Sequence, residues 1–591
     1  MSRSPAFPAS SSVHGRRWSA MLLSLLMLAS CSRPEPVPSP EILPSPTPSD
    51  NAVSEKLNEQ QLKELVAKME VQEKVGQLVI VSFETTEVDT KTEAWLRTNK
   101  IGNVIVYAKN IENAGQATTL TGQLQNTIRG ATQIPAFIGI DQEGGMVNRV
   151  REGVTIFPSP MAIAAGRQEN LYSLAWSMAD ELSGMGFNMN FAPVLDVNSN
   201  PDNPVINLRS YGDDPKAVAS FASIWIKGLQ EGGVVSVAKH FPGHGDTSED
   251  SHFALPTVNK TLDQLKETEL IPFETAIRSG VSAIMTSHIL FPKIEKEKIP
   301  ATLSKTIITD LLKNELGYNG IVISDSLQMD AIEAHYGMAE AAVQAIQAGV
   351  DMVILGDGKV LQPDSEDVQT PVIEALIEAV NQGTISTERL DDAVLSILRI
   401  KNDYGLFEDN GESNHAPYDI DLESHQVLVQ DTTDQSMTLI RDEISALPLP
   451  TDSTLFISFP CVYPLEFDKK SFGEVAADSL FGKAVNVHQD PTQSEIDDIL
   501  QRASGYDTLV LLVYNMADSP NQKKLLDQLL ETEKPIVVIC AGSPYDLQYL
   551  KDAPTVLCTY GYTPAAVQSV ISVLNGTLLP EGKLPVEIPE S

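Results

Sequence analysis

From Leu57 onward, short apolar runs alternate with amphipathic ones, and no other feature limits the possible fold as tightly. The strand-like runs are Leu78–Phe83, Asn103–Tyr107, Ala136–Ile140, Met189–Leu195, Val234–Ala238, Ala283–Thr286, Gly320–Ser324 and Asp351–Leu355. Between them lie helical stretches: Gln116–Arg129, Leu171–Met185, Pro215–Glu231, Leu262–Ser279, Lys305–Leu316 and Met338–Ala348. Strands this short and apolar, separated by helices, are buried on both faces and run parallel. Eight such units in about 350 residues predict an α/β fold, a closed (β/α)8 barrel of the TIM type rather than an open sheet.

Polar residues fall where such a barrel would use them. Asp141 follows the third run, Asp196 the fourth, Lys239 and His240 the fifth, His288 the sixth and Asp325 the seventh. Barrel active sites assemble at the carboxyl ends of the strands. The stretch Lys239–His252, KHFPGHGDTSEDSH, holds three histidines, two aspartates, a glutamate and a lysine. Pro242, Gly243 and Gly245 mark it as a loop rather than a strand or helix.

This inventory suits cleavage of a glycosidic bond. That reaction needs a carboxylate beneath the anomeric carbon and an acid on the leaving oxygen that later serves as base. Asp325, a lone acid ending an apolar strand between Ser324 and Ser326, fits the first role, although it could equally cap the helix that follows. His252 fits the second. Asp250 lies two residues earlier, on the same side of an extended segment, and could fix the imidazole tautomer and favour its protonated form. The pair could also simply pin a loop. A compact zinc site from His240, His244, Asp246 and His252 is a further option, but the proline and glycines break the helical spacing that would favour it. No metal and no cofactor is expected.

Five motifs resemble glycoside hydrolase family 3, and within it the β-N-acetylglucosaminidase branch. They are IGIDQEGGMVNRV (138–150), NFAPVLDVNSN (190–200), NLRSYGDDP (207–215), KHFPGHGDTSEDSH (239–252) and GIVISDSLQMD (320–330). The resemblance implies a retaining exo-acting enzyme that releases terminal N-acetylglucosamine from β-glycosides such as peptidoglycan fragments. It implies Asp325 as nucleophile, His252 paired with Asp250 as acid/base, and Asp141, Arg149, Arg209, Lys239 and His240 as sugar-binding residues. Family β-glucosidases take a glutamate acid/base from their second domain, and the intact Asp250-Ser251-His252 argues against that mode. Two rival readings keep the same residues: a phosphorylase that replaces water with phosphate, and an inactive, anchored wall-binding lipoprotein.

The ends of the chain read differently. Arg16 and Arg17 precede an apolar run of about ten residues, too short to span a bilayer. Leu28-Ala29-Ser30-Cys31 resembles a lipobox, so residues 1–30 are expected to be a signal peptide and Cys31 the lipidated terminus of an extracytoplasmic, membrane-anchored protein. Prolines at 34, 36, 38, 40, 44, 46 and 48 make 31–56 a semi-rigid spacer. The barrel is expected over 57–410, a connector over 411–430, and a smaller α/β sandwich over 431–591, with strands at Thr454–Ser458, Leu509–Tyr514, Ile536–Cys540 and Val556–Thr559. Cys461, Cys540 and Cys558 are scattered and odd in number, which fits buried thiols rather than a disulfide framework. With 42 basic against 79 acidic residues, the net charge of −37 excludes a nucleic-acid partner, which requires clustered Lys and Arg.

Overall fold

The computed structural model describes residues 56–249, 255–356, 367–408, 420–450, 453–460 and 470–589. Cys31, the proline-rich spacer, Asp250, His252, Cys461 and the first part of the expected connector, 411–419, lie outside these residues.

Eight parallel strands close into a barrel in sequence order. They are β1 (Val79–Val81), β2 (Asn103–Val106), β3 (Phe137–Ile140), β4 (Met189–Asn190), β5 (Val235–Phe241), β6 (Ala283–Thr286), β7 (Ile321–Ser326) and β8 (Met352–Ile354). Pairing of β1 with β8 completes the ring, with Val79 opposite Val353 and Ile80 opposite Ile354. Every residue of β1, β2, β3, β6 and β8 is buried, because side chains inside the barrel and helices outside it cover both faces. The outer helices start where their caps dictate. Asn113 accepts from the Gln116 amide to open Ala114–Thr132, and Asp214 caps Pro215–Glu231 with proline at its first position.

Three expectations need correction. The fifth strand does not stop at Ala238: Lys239, His240 and Phe241 extend it, so the start of the histidine-rich stretch is buried strand and not loop. The polar ends of Lys239 and His240 point into a cavity where they find partners, which offsets the cost of burial, while Phe241 packs in the apolar core against Phe273. The fourth strand is two residues long rather than seven, since Pro193 lacks the N–H a ladder needs. Beyond it the chain stays beside β5 through single contacts, Leu195 N–H to Lys239 O at 2.6 Å and Lys239 N–H to Pro193 O at 3.1 Å. The helix expected over Leu262–Ser279 is two helices, Leu262–Glu267 and Leu270–Arg278.

After the long helix Thr387–Asp403, capped by Ser386, the chain builds a second sheet of six strands. These are β9 (Thr438–Asp442), β10 (Thr454–Ser458), β11 (Lys483–Asn486), β12 (Thr508–Val513), β13 (Ile536–Cys540) and β14 (Thr555–Cys558). Their spatial order is β11-β10-β12-β13-β14-β9. All pairs are parallel except β14 with β9. Alternate residues supply two separate cores. Leu455, Leu509, Leu511, Val538 and Cys540 face one, and Phe456, Val510, Leu512, Val537 and Ile539 face the other. Helices on both sides complete the sandwich. Cys540 and Cys558 are buried free thiols at partnered positions of β13 and β14.

Barrel residues enter one of these cores. Met161, Ala162, Ala165 and Leu208 belong to the same apolar cluster as Leu455, Tyr545 and Val586. Polar contacts join the same surfaces: Ser159 Oγ donates to Tyr560 O at 2.7 Å, and Lys583 N–H donates to Ala165 O at 2.9 Å. Among the described residues no helix is long and apolar enough to cross a membrane.

Candidate active site

A cavity of about 210 Å³ opens at the carboxyl ends of the barrel strands. Asp141, Arg149, Arg209, Lys239, His240 and Asp325 all line it, together with Glu143, His244, Tyr107 and Met329. Of the eight residues expected to act on a sugar, the barrel thus brings six together; Asp250 and His252 fall outside the described residues.

Lys239 sits at the centre of the charged group. It is 2 % exposed, and its ammonium lies 2.9 Å from Asp141 Oδ1 and 2.6 Å from Glu143 Oε1. Glu143 in turn holds Arg209 in a fork, with Nε to Oε2 and Nη2 to Oε1 both at 2.8 Å. Such a two-point grip fixes a guanidinium in direction as well as position. Arg149 approaches Asp141 Oδ2 through Nη2 at 3.4 Å. Burial pushes the carboxyls of Asp141 and Glu143 up, but the adjacent cations outweigh it. Lys239 and Arg149 hold Asp141 below the usual carboxylate range, and Arg209 and Lys239 hold Glu143 well below it. Burial likewise pushes Lys239 down, and Asp141 and Glu143 more than restore it. All three groups are therefore charged at neutral pH.

Local structure explains how Arg149 is aimed. Gln142 donates its amide to Asn190 Oδ1 at 3.0 Å, while its side-chain oxygen accepts from Arg149 N–H at 2.8 Å. A small antiparallel bridge between Gly144 and Val147 folds the intervening chain back. Arg149 Nε is buried with no partner among the described residues, which leaves a donor for a ligand oxygen.

His240 is oriented from beneath. Asp196, fully buried, lies 2.7 Å from His240 Nδ1 through Oδ2, and its Oδ1 accepts from the amides of His240 at 3.2 Å and His244 at 2.7 Å. Burial pushes the Asp196 carboxyl up, but His240 and the His244 contacts hold it below its ordinary value. A carboxylate there makes Nδ1 the protonated nitrogen and leaves Nε2 as the ring atom Asp196 does not engage. His244, 1 % exposed, is pushed down to about 4 by burial and by His240 beside it, so it is neutral. Among the described residues no group of three or more His, Cys, Asp or Glu side chains is arranged to hold a metal ion.

The loop after β5 needs its glycines for close approach. A Cβ on Gly245 would stand 1.7 Å from Val197 O. Further along, Lys260 links Asp246, at 3.3 Å, to Glu269. Asp325 is the least buried residue of β7, with Oδ1 accepting from the Ser326 amide at 2.7 Å. The next backbone amide therefore steadies one oxygen of a carboxylate at the cavity wall.

Three residues of this machinery escape the motif reading. Glu143 stands two positions beyond Asp141, the same spacing that singles out Asp250 beside His252, and that rule would have found it. Asp196 is recognisable at a strand end, yet its partnership with His240 joins residues 44 apart. His244 shows no signal that separates a buried neutral imidazole from a metal ligand. His288, by contrast, is fully buried between Thr302 Oγ1 and Ser326 O, at 2.9 Å each, and braces β6 against β7.

Comparison with known proteins places the chain among relatives. Residues 70–400 match the glycosyl hydrolase family 3 N-terminal domain, and residues 340–591 match the glycosyl hydrolase family 3 C-terminal domain. Beta-hexosaminidase A of Pseudoalteromonas piscicida is 37% identical over 318 residues, 51% of this chain, and the match spans about half of that relative, 53% of its length. A beta-hexosaminidase of Stenotrophomonas maltophilia (strain K279a) is 31% identical over 322 residues, which takes in 94% of that protein but 53% of this chain. The solved structure of a glycoside hydrolase family 3 beta-N-acetylglucosaminidase from Paenibacillus sp. str. FPU-7 superposes with a TM-score of 0.81 at 34% identity, covering 88% of this chain and 99% of that one.

Proposed function

Since the chain belongs to glycosyl hydrolase family 3 and is a glycoside hydrolase, we propose that it releases terminal N-acetylglucosamine from β-glycosides, with peptidoglycan fragments the expected natural substrates. The observation that carries this reading is the shared cavity: Asp325 lines the same small space as Asp141, Arg149, Arg209, Lys239 and His240. Ligand sites commonly enclose ~300–1,000 Å³. About 210 Å³ suits a single sugar ring rather than a length of chain, which favours removal of one terminal unit at a time.

In this reading Asp141 accepts from sugar hydroxyls while Lys239 and His240 donate to others. Arg149 and Arg209 offer forks to hydroxyl or acetamido oxygens. Asp325 attacks the anomeric carbon as the bond to the leaving oxygen breaks. His252, held by Asp250, gives that oxygen its proton. A covalent glycosyl ester on Asp325 results. His252, now neutral, takes a proton from water, the hydroxide so formed displaces Asp325, and the second inversion restores the starting configuration. The names carried by the hexosaminidase relatives and the Paenibacillus structure support the N-acetylated sugar as substrate.

The test is turnover of an aryl β-N-acetylglucosaminide by the wild-type chain and by Asp325→Asn. The expected result is β-configured N-acetylglucosamine from the first and a loss of at least 10³-fold in kcat for the second, on the order of what removing a covalent nucleophile costs. An α-configured first product would exclude double displacement. Sugar 1-phosphate formed only in phosphate buffer would instead identify a phosphorylase.

The signal-like N-terminus supports a second proposal, lipidation at Cys31 and attachment to a membrane facing the extracytoplasmic side. Detergent-phase partitioning that disappears in Cys31→Ser is the expected outcome.

A further inference from the structure

The match to the Stenotrophomonas protein uses nearly all of that relative and about half of this chain, so the rest of this chain is a surplus that calls for a task. Among the described residues, none that lines the cavity comes from the second sheet or its helices. The second domain nevertheless grips the segment that supplies Arg209. We propose that it is a positioning device: it holds the turn Asn207–Arg209 so that Arg209 meets the sugar, without itself touching substrate. This rests on the reading of Arg209 as a sugar-binding residue.

The turn divides its neighbours between two environments. Arg209 points into the cavity and is forked by Glu143. Leu208, adjacent to it and 8 % exposed, does not line the cavity; it lies in the apolar cluster where the barrel's Met161, Ala162 and Ala165 meet Leu455, Tyr545 and Val586 of the second domain, so its seat is built from both domains. A one-turn helix of three residues cannot hold itself, since its hydrogen bonds do not offset the cost of ordering it. Its position is therefore set by what each side chain is locked into.

Backbone contacts from the C-terminal tail close the grip. Asp213 N–H donates to Pro585 O at 3.4 Å, and Glu587 N–H donates to Asp213 Oδ2 at 2.6 Å. Gly212 lies so near that a Cβ would stand 2.3 Å from Pro585 O, at a φ of +135° that disfavours any other residue. Upstream, Tyr545 Oη pairs with both the side-chain amide and the carbonyl of Asn198, each at 3.3 Å. Thus the segment from Asn198 to Asp213, which includes Arg209, is tied to the second domain at both ends and in the middle.

The experiment compares full-length Leu208→Ala, Leu208→Met and Leu512→Ala. Leu512, on β12, faces the other core of the second domain, away from the cluster that seats Leu208, and serves as a control for mere destabilisation. Two quantities are read well below each variant's Tm: kinetics on an aryl β-N-acetylglucosaminide, and amide hydrogen exchange of the peptide spanning 207–213. The expected result for Leu208→Ala is faster exchange in that peptide and about tenfold lower kcat/KM, mainly through KM, since a sub-ångström to 1 Å misplacement costs roughly 10–100-fold. Leu208→Met should restore both, and Leu512→Ala should leave both as in wild type. Exchange that quickens with no change in kinetics overturns the proposal, as does Leu512→Ala reproducing the effect. Exchange unchanged in Leu208→Ala overturns it too. Should wild type not turn over this substrate, the substrate assignment fails separately, and exchange in the three variants still decides whether the second domain holds the turn.

Discussion

Glu143 shows how much a single buried side chain can organise. At 3 % exposure it joins Arg209 and Lys239, so removing its charge takes the forked carboxylate from Arg209 and leaves Lys239 with Asp141 alone in a largely buried site. Glu143→Gln is expected to cost roughly 3 kcal/mol of stability, read from urea unfolding, and to raise KM as Arg209 loses its fork. A stability change below about 0.5 kcal/mol would mean that solvent already screens the cluster. Asp546 is the opposite case, a carboxyl with no ion-pair partner among the described residues. It is 3 % exposed, Oδ1 accepts from Met516 N–H at 2.8 Å, and burial raises it to about 7 from an ordinary 3.8. The folded state then holds a proton that the unfolded chain releases, so this group's stability is complete below about pH 4 and is lost as pH rises through 7. Asp546→Asn should therefore gain on the order of 2 kcal/mol at pH 8 and nothing at pH 4, measured by denaturant unfolding at both. An equal gain at both pH values would mean that the carboxyl is ionised throughout.

Among the elements, β5 marks where sequence patterning stops being a guide. Its apolar half is plain, but Lys239 and His240 look like loop because polarity is the cue for exposure. The strand continues because Asp141, Glu143 and Asp196 come from other strand ends to receive those side chains, a fact no local window contains. The same logic explains the second sheet. β10, β12, β13 and β14 are buried apolar runs, readable from their residues. The edge strands β9 and β11 are partly exposed and polar, TLIRD and KAVN, and carry no apolar signal. The rim loop can be probed directly. Gly245→Ala would drive a methyl into Val197 O, so the loop after β5 must shift. The expected outcome is a loss of about 1–3 kcal/mol together with reduced kcat, while a fully active variant would show the loop to be free to move aside.

At the scale of the molecule, the two sheets divide the work. The barrel supplies each described residue that lines the cavity, and the second domain supplies apolar seats and backbone contacts for the rim. The barrel was legible because buried parallel strands leave eight apolar runs, and the candidate site was legible because its polar residues follow those runs. The support given by the second domain was not legible, since it rests on Leu208, Tyr545 and Val586 meeting across hundreds of residues. What remains central is Asp325 as the nucleophile proposed to attack the sugar's anomeric carbon. Incubation with a slow 5-fluoro-N-acetylglucosaminyl fluoride, digestion and mass spectrometry tests this directly. The account predicts one glycosyl unit on the peptide containing Asp325 and none in Asp325→Asn, whereas an adduct on any other residue, or turnover that survives Asp325→Ala, would contradict it.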